Sequence, residues 1–371
     1  MEKVKLTDLC DIQYGYAFDS ACFTDNNTYI PLIRIRDVKR GYSETFYTGD
    51  FSEAYIIHSG DLLIGMDGEF NIARWKSKDA LLNQRVCKIT ANYGANEEYL
   101  RFALSKALKS IENKTAFVTV KHLSAKELNK LTLNIPSQEI QHKIATELGL
   151  IEKIISEKNK EILKLDELVK SRFVEMFGET NDVCEVGDYI SALIAGKSLA
   201  GEEECKNKVL KTGAASFDYF DSTQIKNLPL DYEPNYDHLV NKGDIIISRM
   251  NTAELTGAAA YIWDVPDNVY LPDRLWKAVL NDNCNAIFLW QMLIQPSTKE
   301  QIRRKCSGTS GSMKNISKQG LLSIKVKKVS MDLQNEFADF VKQVDKLKFE
   351  VQKSLDETQL LFDSLMQQYF G

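Results

Sequence analysis

VKHLS at residues 120–124 and MKNIS at residues 313–317 stand 193 positions apart, the same offset that separates MFG at 176–178 from YFG at 369–371 (371 − 178 = 193). That offset also carries Gln141, in IPSQEIQHKI, onto Gln334, in VSMDLQNEF, and Ser171 onto Ser364. A period of nearly half the chain marks a duplicated structural unit, and missing it would misassign the whole fold. Upstream the alignment loosens but keeps its anchors. GDLLIGMDGEFN (60–71) parallels GDIIISRMNTAE (243–254), and NQRVCKI (83–89) parallels PDRLWKAVL (272–280). Each half therefore reads as one mixed domain followed by one long helix.

The helical parts show an apolar stripe. Ile140, Ile144, Leu148, Ile151, Ile155 and Ile162 lead to Leu165, Val169 and Phe173 in steps of mostly three, four or seven. Leu333, Phe337, Phe340, Val344, Leu347 and Val351 lead likewise to Leu355, Leu361, Leu365 and Tyr369. This spacing predicts amphipathic helices with a heptad tendency. Ser137 is a plausible N-cap after Pro136, and Gly178 a natural stop. Helices of roughly 40 residues would extend about 60 Å. Their length favours packing on one another as a coiled coil over burial in an ordinary core.

The mixed domains read as strands, turns and a few short helices. IPLIRIRDV (30–38) alternates Ile33 and Ile35 with Arg34 and Arg36, which predicts a half-buried strand with one cationic face. GDLLIG and GDIIIS each place a Gly-Asp turn before an apolar run. EEYLRFALSKALKSIENK and AIFLWQMLIQPSTKEQIRRK read as helical, at matching places in the two halves.

At 371 residues, with 44% hydrophobic and 27% charged residues, the chain has ordinary globular composition and is long enough for two or three cores. A net charge of −5 argues against coating nucleic acid by bulk charge. Between Lys299 and Lys328, however, basic residues dominate, opposed only by Glu300. The seven cysteines are scattered without a CxxC pair, so neither a zinc site nor a disulfide framework is expected, and no cofactor or metal is implied. MEKVKLTDLC lacks a hydrophobic signal segment and no apolar run approaches a membrane span, so the expected location is the cytoplasm, without a membrane partner.

The order GD(L/I)(L/I)I, an NQRV-like strand, (V/M)K.(L/I)S, then a Gln-containing helix start, given twice, resembles the specificity subunit of type I restriction-modification enzymes. The resemblance covers essentially the full length. It implies an α+β fold with two mixed α/β target recognition domains of similar fold. Two long antiparallel α-helices forming a coiled-coil spacer would separate them, with an internal pseudo-twofold repeat. The expected segments are residues 1–137 (first recognition domain), 138–178 (central helix), 179–330 (second recognition domain) and 331–371 (C-terminal helix). The resemblance further implies a non-catalytic reader of a bipartite, asymmetric sequence in double-stranded DNA. Such a reader binds two modification (methyltransferase) subunits and, through them, restriction (endonuclease/translocase) subunits.

Arginine pairs bidentately with guanine, Asn or Gln with adenine, and carboxylates accept from the cytosine amine. On that chemistry the candidate DNA contacts of the first domain are Arg34, Arg36, Asp67, Glu69, Asn71, Arg74, Asn83, Gln84 and Arg85. Those of the second are Ser248, Arg249, Asn251, Thr252, Glu254, Arg274 and Lys277. The small-residue loop CSGTSGSMK (306–314), with Ser310 and Lys314, and KTAFVTVK (114–121), ending in Lys121, suit phosphate contact.

Motifs for self-contained chemistry are missing. There is no (N/D)PP(F/Y) methyl-transfer motif. Gly60 and Gly65 have Walker spacing, but Met66 and Asp67 stand where Lys and Ser/Thr belong. Asp267, Asp273 and Lys277 lack the acid-x-Lys element of a nuclease. Two alternatives stay open at this point: a degenerate DNA methyltransferase or nuclease, and a purely structural coiled-coil adaptor.

Overall fold

The computed structural model describes residues 2–114, 122–308 and 313–371. The chain forms two compact units, residues 1–160 with 352–371, and residues 161–351.

The first unit is built on a four-stranded antiparallel sheet of β1 (Cys10–Tyr14), β2 (Leu62–Gly65), β3 (Asn71–Arg74) and β4 (Val86–Ala91), in the order β1-β4-β2-β3. The second unit repeats it with β5 (Ile190–Ile194), β6 (Ile245–Ser248), β7 (Ala259–Tyr261) and β8 (Leu275–Leu280), in the order β5-β8-β6-β7. Another sheet in each unit, five-stranded in the first and three-stranded in the second, contains one parallel pair, Leu32 beside Leu81 in the first and Lys208 beside Val269 in the second. The duplication read from sequence is thus a duplication of topology.

The Gly-Asp turns show why the repeat survives where other residues drift. Gly60 and Gly243 hold φ of 98° and 96°, a left-handed conformation that side chains resist. The next residue closes the turn with its carboxylate: Asp61 accepts from the His58 N–H at 2.8 Å and Asp244 from the Asn241 N–H at 2.8 Å. A lysine from the adjacent strand neutralises each carboxylate, Lys88 at 2.9 Å and Lys277 at 3.8 Å.

After the sheet the first unit has one helix, α1 (Glu97–Lys114), where the second has two, α2 (Ala286–Leu293) and α3 (Pro296–Lys305). Pro296 explains the break. It lacks an N–H and forces Gln295 into extended backbone, ψ 141°, yet it suits the first turn of a new helix.

The expected strand over residues 30–38 is corrected. Ile30–Ile33 is a strand, but Ile35–Arg40 is a short helix. Asp37 causes the switch: its carboxylate accepts from the Arg34 N–H at 2.9 Å and from the Ser43 hydroxyl at 2.9 Å, which starts a helical turn. Gly41, at φ 79°, ends it.

The long helices are α4 (Gln138–Phe177) and α5 (Met331–Phe370), 40 residues each and so about 60 Å long. Within the first unit, Ile144 and Leu148 of α4 share a core with Met366 of α5, and the Tyr369 hydroxyl donates to Glu147 at 2.7 Å. Within the second unit the helices run antiparallel, since Asp166 meets Lys348 at 2.5 Å while Arg172 meets Glu336 at 3.2 Å. The apolar stripe is only partly buried: Ile140, Leu333, Leu347 and Leu361 are exposed. At position 178 a Cβ would lie 2.5 Å from the Val174 carbonyl oxygen, which fits glycine where α4 stops.

Each long helix is fastened at its first turn by a buried glutamine. The Gln141 side-chain oxygen accepts from the Asn96 N–H at 2.8 Å, and its amide donates to the carbonyls of Pro136 at 3.0 Å and Gly94 at 3.3 Å. Gln334 accepts from the Asn285 N–H at 2.8 Å and donates to Val329 at 2.8 Å and Asn283 at 3.1 Å. Both are almost fully buried, at 1% and 0% exposure. The far ends are set in aromatic contacts, Phe177 against Phe288 at 5.3 Å and Phe370 against Tyr99 at 5.3 Å.

Gln334→Leu would leave one N–H and two carbonyls unsatisfied. It should lower unfolding free energy by about 3 kcal/mol, given roughly 1–3 kcal/mol per buried orphaned group. Denaturant unfolding measures this, and Gln141→Leu should behave alike.

Candidate nucleic-acid interface

In the first unit five candidate residues come together. Arg34, Arg36, Asn83, Gln84 and Arg85 line one cleft of about 440 Å³ floored by aromatic rings including Phe18. Arg36 arrives there from the short helix and Arg34 from its N-cap, not from a strand face. Asn83 does not point out: it is buried and its side-chain oxygen accepts from the Gln84 N–H at 2.9 Å, which shapes the turn. Gln84 and Arg85 are exposed at its tip.

Arg85 has φ 71°, a left-handed backbone that a non-glycine residue adopts at a cost of about 1 kcal/mol or more. Hydrogen bonds hold it. Its guanidinium lies 2.9 Å from His122 Nε2 and 3.6 Å from Asp67, and His122 Nδ1 meets Asp67 at 2.5 Å. The backbone joins in, because Asp67 bridges to His122 and Leu123 donates to the Met66 carbonyl at 2.7 Å. This is the reason for the VKHLS repeat: its middle residues close the loop after β2. His122 was missed as a site residue, although the repeat contains it.

Glu69 is exposed and pairs with Lys39 at 3.3 Å. Asn71 donates to the Glu69 carbonyl at 3.0 Å, and its side-chain oxygen is buried without a partner among the described residues. Arg74 lies elsewhere, tied to Glu97 at 2.8 Å and Glu98 at 2.5 Å. Burial would raise the Glu98 pKa, but hydrogen bonds from Arg101 and Arg74 outweigh it and hold the carboxyl below its ordinary value. Arg74 is thus engaged in fixing α1 to β3.

The second unit places Arg249 where Met66 stands in the first. Arg249 donates its N–H to the Arg274 carbonyl at 3.0 Å, as Met66 does to Arg85 at 2.9 Å. The Arg249 guanidinium lies over Trp276 at 5.7 Å, and its Nε has no partner among the described residues. Asn251 donates to the Ser216 hydroxyl at 3.2 Å and accepts from the Thr252 N–H at 2.9 Å. Thr252, Glu254 and Arg274 are exposed. Glu254 lines a cleft of about 340 Å³ with Arg303 and Lys314, and Lys314 also donates to the Gly308 carbonyl at 2.6 Å.

Two second-unit candidates are held inside the fold. Ser248 is fully buried in β6. Lys277 donates to the Leu239 carbonyl at 2.6 Å beside Asp244, the structural place that Lys88 fills in the first unit. Lys121 and Ser310 lie outside the described residues. Among the described residues no cluster of His, Cys, Asp or Glu is arranged to hold a metal ion, and no helix is long and apolar enough to cross a membrane.

What the accessible groups offer chemically is a set of arginine forks, amides and carboxylates on loops carried by sheets. Such groups can read base edges, since both groove recognition and phosphate contact need donors fixed by a rigid support.

The family model described as the type I restriction modification DNA specificity domain matches residues 1–165 and 176–358. Over 150 residues the chain is 40% identical to the type I restriction enzyme EcoBI specificity subunit of Escherichia coli, a match covering 40% of this chain and 32% of that protein. It is 26% identical over 193 residues to the EcoEI specificity subunit of Escherichia coli, covering 49% of this chain and 32% of that protein. The alignments thus span about a third of the length of these relatives. The fold is similar to the crystal structure of a type I restriction-modification system S subunit from M. genitalium, with TM-score 0.60, 17% identity, and coverage of 100% of this chain and 96% of that one.

Arg74→Ala should destabilise the protein by about 2 kcal/mol, because it leaves two half-buried carboxylates with one cation fewer. Arg85→Ala should cost less, about 1 kcal/mol, because its half-exposed contacts with His122 and Asp67 are worth little individually but help hold the left-handed turn. Thermal or denaturant unfolding separates the two. The depressed pKa of Glu98 also sets a sign: its contribution is present above the unfolded-state pKa and is lost as pH falls through the folded value. Acid destabilisation in the carboxylate range should therefore be smaller in Arg74→Ala than in the parent.

Proposed function

The chain belongs to the type I restriction modification DNA specificity domain family, and from that membership we propose that it is the DNA-reading specificity subunit of a type I restriction-modification enzyme. In this reading residues 1–137 and 179–330 are target recognition domains, each reading one half of a bipartite, asymmetric site in double-stranded DNA. Residues 138–178 and 331–371 form the helical spacer. The subunit is non-catalytic and cytoplasmic. It binds two modification subunits, which carry methyl transfer, and through them restriction subunits.

One observation supports this best: the two units share a topology while the groups at equivalent loop positions differ. An arginine stands at one of these positions in both units, Arg85 and Arg274, but its neighbours Asp67 and His122 in the first unit are Met250 and Asn315 at the corresponding backbone pairing in the second. A common scaffold with dissimilar polar tips suits a reader of two unlike half-sites.

The base-reading set we propose is Arg34, Arg36, Asp67, Glu69, Gln84 and Arg85 in the first domain. In the second it is Arg249, Asn251, Thr252, Glu254 and Arg274. Lys314, with Lys121 and Ser310, would contact phosphates, as positioning contacts do in DNA complexes generally. Asn71, Arg74, Asn83, Ser248 and Lys277 would act by shaping these loops.

Two outcomes test the reading. Arg85→Ala should lose about 1–3 kcal/mol of discrimination at one base pair while keeping its fold, measured by binding to sites altered one pair at a time. Exchanging residues 1–137 for those of a relative should change one half-site only, as read by sequencing modified adenines in cells carrying the modification subunit. Loss of both half-sites, or a palindromic pattern, would contradict it.

A further inference from the structure

The second unit contains a cleft of about 400 Å³ whose walls include Tyr261, Trp263 and Trp290, with Asp345 of α5 among its charged groups. The rings are mutually supported: Tyr261 meets Trp263 at 4.6 Å and stacks on Trp290 at 6.0 Å. The Trp290 indole N–H is anchored by the carbonyls of Ala259 at 3.0 Å and Asp218 at 3.1 Å. Phe217 and Tyr219, also on the lining, are largely exposed, at 66% and 55%.

The first unit shows what the same place holds when it is filled. Asn96 and Asn285 make the same backbone bond to the clamp glutamines, and each caps the N–H three residues on, so Arg101 of α1 corresponds to Trp290 of α2. Counting eleven residues from Gln141 and Gln334 makes Glu152 correspond to Asp345. The hairpin registers Leu62 with Arg74 and Ile245 with Tyr261 make Arg74 correspond to Tyr261. In the first unit, therefore, a guanidinium of the chain itself sits on the equivalent carboxylate. Arg101 forks onto Glu152 at 2.6 and 3.1 Å and reaches Glu98 at 2.7 Å.

The second unit has lost both arginines and both helix glutamates, which are Ala286 and Ile287 there, but has kept the carboxylate on the long helix. Among the described residues Asp345 makes no hydrogen bond and no ion pair. Nearby cations are engaged: Lys348 with Asp166 at 2.5 Å, Lys342 with Asp339 at 2.9 Å, and Lys299 with Asp218 at 2.5 Å. Lys170 is an exposed side chain on the lining. Burial pushes the Asp345 carboxyl up from its ordinary value, with Lys348 opposing.

We propose that this cleft binds a guanidinium group from outside the chain, an arginine side chain presented by a partner polypeptide. Asp345 takes the fork and the faces of Tyr261, Trp263 and Trp290 take the planar cation. A guanidinium fits this pairing of carboxylate and aromatic faces better than an ammonium, because it is planar, bidentate and weakly hydrated. The exposed rings of Phe217 and Tyr219 give the backbone flanking such an arginine an apolar surface to cover.

Titration of the full chain with acetyl-Gly-Arg-Gly-amide, followed by tryptophan fluorescence, tests this. Trp75 and Trp276 are buried elsewhere, so Trp263 and Trp290 report on the cleft. A saturable change is expected with the arginine peptide and none with its citrulline counterpart. Asp345→Asn should weaken binding by about tenfold or more. Trp290→Arg should abolish it by supplying the guanidinium internally, as the first unit does. The proposal is overturned if no saturable change occurs, if Asp345→Asn binds as the parent does, or if the citrulline peptide, a lysine peptide or spermidine binds equally well. Should Trp290→Arg fail to fold, the Asp345→Asn comparison still decides.

Discussion

Two buried carboxamides, Gln141 and Gln334, impose the constraint on which the rest depends. An amide offers an acceptor and two donors from one small planar group. Each glutamine uses all of them, taking one loop N–H and giving to two carbonyls. Glutamate would lose the donors, and an apolar residue would lose everything. The result is a stiff joint between the loop before α1 or α2 and the first turn of α4 or α5. At the other end of α4, Phe177 sits against Phe288 of α2, and at the other end of α5, Phe370 sits against Tyr99 of α1. Neither 40-residue helix contains a proline, the residue that most sharply kinks one.

The duplication separates what must stay from what is free to change. Backbone-shaping groups persist: the Gly-Asp turns, their lysines Lys88 and Lys277, and the loop closures of Leu123 on Met66 and Ile316 on Arg249. Side chains that leave the backbone untouched diverge. The arginines of the network of Arg74, Arg101, Glu98 and Glu152 in one unit are Tyr261 and Trp290 in the other, although strand order is the same. Recognition by loops on a conserved scaffold is the economical way to give two domains of one fold different targets.

Much of this was legible in the sequence, because periodicity and repetition are properties of spacing. The duplication, the long helices and the strand entries after Gly60 and Gly243 follow from where residues recur. The short helix at Ile35–Arg40 was not legible, since alternation of Ile and Arg looks the same until Asp37 reaches back to the Arg34 N–H. Nor was the inward turn of Asn83, Ser248 and Lys277. A polar residue in a short string carries no sign of whether solvent or a carbonyl will be its partner. For Lys277 there was a signal, since Lys88 occupies the matching place in NQRVCKI. His122 was visible only as part of a repeat, and its contact with Asp67 spans 55 residues.

If the long helices act as the ruler between two reading heads, their length must appear in the DNA. A four-residue turn inserted into the middle of both α4 and α5 lengthens each by about 6 Å. At about 3.4 Å per base pair that is one to two base pairs. Mapping methylated adenines in cells carrying the altered chain and its modification subunit should show both half-sites unchanged and the unread gap longer by that amount. An unchanged gap, or half-sites that change while the gap does not, would contradict the account.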